Sequence, residues 1–311
     1  MSDVTSRRWR VLASTLQLGA VLCLLPAPAL SQHITPQDLL STEPIDPDHV
    51  SSYGSDPLQF GHLRLPEGEG PFPVLVVIHG GCWLSFADLQ HLTPFTADIA
   101  EAGVATWSIE YRRVDSPGGG WPNTFLDVAK GVDHLRTLAA EYDLDLNRVV
   151  VVGHSSGGHL ALWVAGRSNI PMDSPLLTVE PLAIDAVVSL EGATLETKKL
   201  RELDNRVCGG DVIDGLLGGT PEEVPDHYAA GSPERLLPFG VPVFLLTGGD
   251  LPIIPPEQVE AFAEVVRGKG DEVTVTAVAG SAHFEVVVPG TEAWPEVRST
   301  ILGLFETLSE R

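Results

Sequence analysis

Positive charge is what this sequence has least of. Only 19 lysines and arginines stand against 42 aspartates and glutamates, a formal net charge of -23 over 311 residues. Such a surface repels nucleic-acid phosphates and anionic lipid headgroups, so neither is an expected partner, and the surplus reads as a solvated acidic face. Aromatic residues are scarce at 6%, and no internal repeat or low-complexity block is visible. With 43% hydrophobic residues, the chain can bury one large α/β core, and nothing forces a second domain.

Cysteine is nearly absent: Cys23, Cys82 and Cys208 are the whole set. Cys23 follows Leu22 rather than the small residue that a lipid-attachment site needs, so lipidation is not expected. At most one bridge remains, Cys82 to Cys208. The sequence neither requires nor forbids it.

Arg7, Arg8 and Arg10 precede an apolar stretch from Val11 to Leu25, and Ala27-Pro28-Ala29 or Ala29-Leu30-Ser31 offers small residues for a signal peptidase. Residues 1–31 are therefore expected to be a signal peptide, and the protein to be periplasmic or secreted without stable membrane association afterwards. Pro26 and Pro28 cut the apolar run short of a comfortable span, which disfavours the competing reading of a membrane anchor. The pair Arg7-Arg8 leaves the export route open.

The chain is organised around Val149-Val150-Val151-Val152-Gly153-His154-Ser155-Ser156-Gly157-Gly158. Four β-branched residues suit a strand buried on both faces, and from Ser156 onward Leu160, Ala161, Val164 and Ala165 recur at helical spacing. Strand, tight turn and helix with Gly153-x-Ser155-x-Gly157 at the apex make a nucleophile elbow, in which glycines flank a serine pushed clear of the sheet. An attacking hydroxyl also needs N–H donors where charge develops on the carbonyl oxygen, each worth roughly 3 kcal/mol in the transition state. Val74 to Ile78 is an inner strand running into His79-Gly80-Gly81-Cys82-Trp83, where the main chain can approach closely. The expected oxyanion donors are the N–H groups of Ser156 and of Gly81 or Cys82. His79 reads as a structural residue holding that loop, and Glu110 as the partner of a following arginine in a buried ion pair.

Other segments fill in the architecture. Residues 32–56 read as a loosely wrapped arm, Leu58 to Leu65 as an outer antiparallel strand, Ala87 to Ala102 as a helix, Val104 to Ile109 as a strand, and Pro122 to Tyr142 as one helix. Ile184 to Leu190, Val241 to Thr247 and Asp271 to Val278 are further strands, with helices at Pro256 to Gly268 and Ala293 to Leu308. Between Glu191 and Phe239 the apolar period collapses into short helices and loops, longer than a connection needs, so residues 191–239 are expected to form a small cap. Strands alternating with helices predict a doubly wound, mostly parallel sheet with helices on both faces, spanning residues 32–311. A serine base must come from a loop after a later strand, and His283 in Gly280-Ser281-Ala282-His283-Phe284 is the histidine so placed. Trp83, Trp121 and Phe284 are expected pocket walls.

From about residue 58 to 305 the chain resembles the α/β-hydrolase superfamily, in its esterase branch of hormone-sensitive-lipase-like, feruloyl-esterase-like and kynurenine-formamidase-like proteins. The match rests on His79-Gly80-Gly81-Cys82-Trp83 and on Gly153-His154-Ser155-Ser156-Gly157-Gly158-His159-Leu160-Ala161. Cys82 in place of a third glycine is closer to formamidase-like sequences. The family's acid usually lies in Gly-x-x-Asp-x-x-x-Pro after the penultimate strand. Counting back from Pro255, Leu251 occupies that position and Asp250 stands one residue early. Asp250 is the preferred acid and Glu191, just after the preceding strand, the alternative. The resemblance implies a serine hydrolase of small carboxylic esters, with Ser155, His283 and Asp250 as its triad and no metal or cofactor. An amide or formamide hydrolase, and a catalytically decayed binding module, are the other readings. Oligomeric state is not legible.

Overall fold

The computed structural model describes residues 33–192 and 197–309, apart from the side chains of residues 204 and 205. The expected signal peptide lies outside these residues.

Eight strands form one sheet: β1 (His49–Ser52), β2 (Phe60–Arg64), β3 (Phe72–Ile78), β4 (Ala105–Ile109), β5 (Leu144–His154), β6 (Ala186–Leu190), β7 (Val243–Gly248) and β8 (Val273–Val278). Their spatial order is β1-β2-β4-β3-β5-β6-β7-β8. The first two strands pair antiparallel at one edge, and every pairing from β4 through β3 to β8 is parallel. The helices are α1 (Pro36–Leu40), α2 (Thr93–Glu101), α3 (Asn123–Asp133), α4 (Leu135–Tyr142), α5 (Ser156–Ala165), α6 (Thr197–Val207), α7 (Val212–Leu217), α8 (Pro225–Gly231), α9 (Pro256–Gly268) and α10 (Trp294–Ser309).

Side chains alternate across a strand, so the apolar runs of the inner strands feed two cores at once. Val74, Val76, Val149 and Val151 join the cluster formed with α3, α4, α5 and α9. Their neighbours Leu75, Val77, Val150 and Val152 join the opposite cluster with α2 and α10. This sandwich holds the carboxyl ends of the parallel strands rigid, which is where an open α/β sheet carries its ligand site.

Two local expectations are corrected. The single helix expected from Pro122 to Tyr142 is two helices meeting at His134, whose ring Nε2 lies 2.8 Å from Ser51 Oγ on the edge strand. The arm before residue 56 contains α1, whose Thr35 and Asp38 close a capping box, and β1. Both are too short to show a period in sequence.

Candidate active site

Gly153 and Gly157 make the turn at the end of β5 sterically possible. A Cβ on Gly153 would lie 2.0 Å from the Gly157 carbonyl oxygen, and one on Gly157 would lie 2.2 Å from that of Ile78. Ser155 between them has φ 54° and ψ -122°, outside the usual regions for an L residue. Six non-glycine residues have positive φ among those described, and four of them, Cys82, Trp83, Ser155 and Glu191, line one cavity. Strain of about 1–3 kcal/mol per residue persists only where surrounding structure enforces it, and it is gathered here at one place.

Ser155 Oγ lies 3.0 Å from His283 Nε2, and His283 Nδ1 lies 3.1 Å from Glu191 Oε2. A carboxylate can only accept, so Nδ1 carries a proton directed at Glu191, and whenever the ring is neutral Nε2 is free to accept from the serine hydroxyl. Glu191 is itself tightly held. Its Oε1 accepts from Thr247 Oγ1 at 2.7 Å and from the Gly248 N–H, and its Oε2 also accepts from the Ile253 N–H at 3.1 Å. Burial opposes its ionisation, but hydrogen bonds from His283, Thr247 and Gly248, together with the His283 charge, prevail and hold its carboxyl below the usual range.

Asp250, the preferred acid from sequence, does not occupy this place. Hydrogen bonds from Gly249 N to the Val278 carbonyl and from Asp250 N to the Ser281 carbonyl pin the β7 loop against the β8 loop. Asp250 and Leu251 are both exposed. The carboxylate facing His283 comes instead from the end of β6, from the residue that sequence offered as the alternative. Thr247 and the Ile253 N–H, which grip it, were not expected.

The loop after β3 is braced from behind. His79, fully buried, lies 3.1 Å from Glu110 Oε1 through Nε2 and 2.7 Å from the Gly80 carbonyl oxygen through Nδ1. Glu110 also pairs with Arg113 and accepts from the Tyr111 N–H at 2.9 Å. Gly81, at φ 110°, supplies the bend but does not border the cavity; Cys82 and Ser156 do. Trp83 N–H is taken by Ser156 Oγ at 3.3 Å. Helix geometry leaves Ser156 N–H, in the first turn of α5, without an intrahelical acceptor. Of the residues offered by the sequence as oxyanion donors, Cys82 and Ser156 border the cavity beside Ser155 and Gly81 does not.

Two expected pocket walls are elsewhere. Trp121 stacks on His227 with ring centroids 4.2 Å apart and packs edge-on against Phe125. Phe284 packs on His283 and His154. Of the three aromatics only Trp83 lines the cavity, which is otherwise roofed by aliphatic side chains of the 197–217 segment and by Ile253 and Ile254. The signal for that roof was Leu200, Leu203 and Val207, one face of a helix in a stretch otherwise rich in charge.

Cys82 is bonded to Cys208, 126 residues on, with Cα atoms 5.6 Å apart, so the loop beside Ser155 is tied to the end of α6. Closing a loop of that length constrains the unfolded chain by about 5 kcal/mol. Changing both cysteines to serine should lower the unfolding midpoint in denaturant accordingly; an unchanged midpoint would contradict the bridge.

Acid should unfold the protein early. Burial holds His91 and His159 neutral, each pushed down to about 3, and burial with the nearby His283 charge pushes His154 well below its ordinary value. In the unfolded chain these rings bind protons below pH ~6.5, so stability is lost as pH falls from there, with a slope approaching about 1.4 kcal/mol per pH unit for each ring. Glu191 and Glu110, both depressed in the folded state, add a second loss below the ordinary value of 4.5. A melting temperature that declines steadily from pH 7.5 to pH 4 is expected; one that rises towards pH 5 would contradict it.

The sequence model of the BD-FAE family matches residues 63–266. The chain belongs to the BD-FAE family. Esterase LipC of Mycobacterium tuberculosis is 26% identical over 271 residues, 83% of this chain and 65% of that protein. An isoprenylcysteine alpha-carbonyl methylesterase of Arabidopsis thaliana is 23% identical over 249 residues, 75% of this chain and 56% of that protein. The chain thus spans less than two thirds of the length of these relatives. A crystal structure of esterase B from Lactobacillus rhamnosis superposes with a TM-score of 0.71 at 23% identity, over 86% of this chain and 89% of that one. The fold of this BD-FAE chain is that of the α/β-hydrolases, as expected from its sequence.

Proposed function

We propose that this protein is a serine hydrolase that cleaves small carboxylic esters through an acyl-enzyme. The observation that carries the proposal is the unbroken relay from Ser155 Oγ through both ring nitrogens of His283 to Glu191, at 3.0 and 3.1 Å. His283 takes the serine proton as Oγ attacks the ester carbon, and Glu191 stabilises the imidazolium that forms. The Cys82 and Ser156 N–H groups receive the negative charge on the carbonyl oxygen. The imidazolium then protonates the leaving alcohol, and water, deprotonated by the same ring, releases the acid.

Relatives named as ester hydrolases favour an ester over an amide or formamide. A fully hydrogen-bonded relay weighs against a decayed binding module. The bridge from Cys82 to Cys208 suits an oxidising compartment and so supports export by the leader at residues 1–31. The net charge of -23 supports a small-molecule substrate without nucleic-acid or lipid partners. Initial rates on p-nitrophenyl acetate and on an N-formyl aromatic amine test the assignment. Turnover of the ester alone, or far faster than the formamide, is expected; the reverse order would move the protein to the formamidase reading.

A further inference from the structure

The cavity over Ser155 is only about 40 Å³. A water-sized group needs roughly 10–15 Å³ by this measure, so the space admits about three such groups. On the other side of α6 lies a cleft of about 780 Å³, walled by α6 and α9 and floored by Leu203, Leu237, Phe262 and Val265. Helix α6 is the partition between them. Its Leu200, Leu203 and Val207, at i, i+3 and i+7, face the small cavity, whereas Lys199, Glu202 and Arg206 face the cleft. Leu203 is the one residue that lines both spaces. It is buried, and the disulfide at Cys208 fixes the end of its helix.

We propose that the small cavity is the acyl chamber and that Leu203 sets acyl length, confining this enzyme to esters of acetic and propionic acid. The proposal rests on the serine-hydrolase reading above. The acyl group is the part of the substrate that stays bonded to Ser155 Oγ between the two half-reactions, so it is the part that must be accommodated in the small space directly over that atom. The alcohol has to depart and water has to enter, so that side must open to solvent and imposes little limit on size.

The test is a matrix of kcat/KM values for p-nitrophenyl esters from acetyl to octanoyl, and for acetate esters of alcohols of increasing size. For the wild type, the acyl series should fall by about tenfold for each methylene beyond propionyl, the lower end of the range for an apolar pocket, and the alcohol series should stay within a few-fold. Leu203→Ala should join chamber and cleft, raising octanoyl turnover by at least about 30-fold and moving the optimum to hexanoyl or longer. Ile213→Ala, which widens the chamber without touching the cleft, should extend the optimum by only one or two carbons. Val265→Trp fills the exposed side of the cleft; alone it should leave acetyl turnover unchanged, and in the Leu203→Ala background it should cancel the octanoyl gain.

A flat acyl series with a steep alcohol series would overturn the assignment, as would a Leu203→Ala gain that survives Val265→Trp. Should Leu203→Ala not fold, the wild-type series and Ile213→Ala still decide it. Failure of the serine-hydrolase reading looks different: no ester of any length is turned over and Ser155 takes no fluorophosphonate label.

Discussion

Replacing Ser155 by alanine is expected to lower kcat on p-nitrophenyl acetate by about 10⁵- to 10⁶-fold, because the nucleophile of a serine relay is worth that much when its partners cannot act without it. Binding should survive, since the apolar lining of the cavity and the N–H groups of Cys82 and Ser156 remain in place. The melting temperature should change little: alanine meets the same strain at φ 54° and leaves no large void. Stopped-flow measurement on the wild type should show a burst of p-nitrophenol if deacylation is the slower step, and the variant should show none. Turnover within tenfold of wild type would mean that another group attacks.

The second large effect separates two carboxylates that sequence alone left in competition. Glu191→Gln should cost about 10⁴-fold in kcat with little change in KM. Glutamine keeps the shape, but the Thr247 hydroxyl and the N–H groups of Gly248 and Ile253 all donate to the present carboxylate, so one would confront an amide NH₂. The charge that stabilises the His283 imidazolium would also be lost. Asp250→Asn should stay within about twofold of wild type, because that side chain is exposed and holds no hydrogen bond to His283. Parallel kcat determinations on the two variants decide the matter. A 10⁴-fold loss in Asp250→Asn with near-normal Glu191→Gln would reverse the assignment.

The fold is more legible in the sequence than the carboxylate that faces His283. Strands and elbow were legible because each is a local pattern: β-branched runs for β3 and β5, glycines at the two positions where a Cβ would collide, and helical spacing in α5. Helix α9 was expected over Pro256 to Gly268 and spans those residues. The carboxylate that faces His283 is not a local pattern. Its identity depends on which loop is pinned outward, and that follows from main-chain bonds between the β7 and β8 loops, invisible until the strands are paired. Trp121 and Phe284 failed as pocket walls for a similar reason. Large aromatics beside catalytic motifs also serve to pack those motifs, and which role applies is settled by distant partners such as His227. The pairing of Cys82 with Cys208 likewise required the fold.

If Ser155 is an activated nucleophile served by His283 and Glu191, it should react covalently with an electrophile that mimics the ester carbon. Intact-mass analysis after treatment with a fluorophosphonate tests it most directly, with the labelled peptide located by proteolysis. One phosphonyl group per chain on Ser155 is predicted, formed at least a thousandfold more slowly in His283→Ala and not at all in Ser155→Ala. An unlabelled wild-type protein, or a label on another residue, would contradict it.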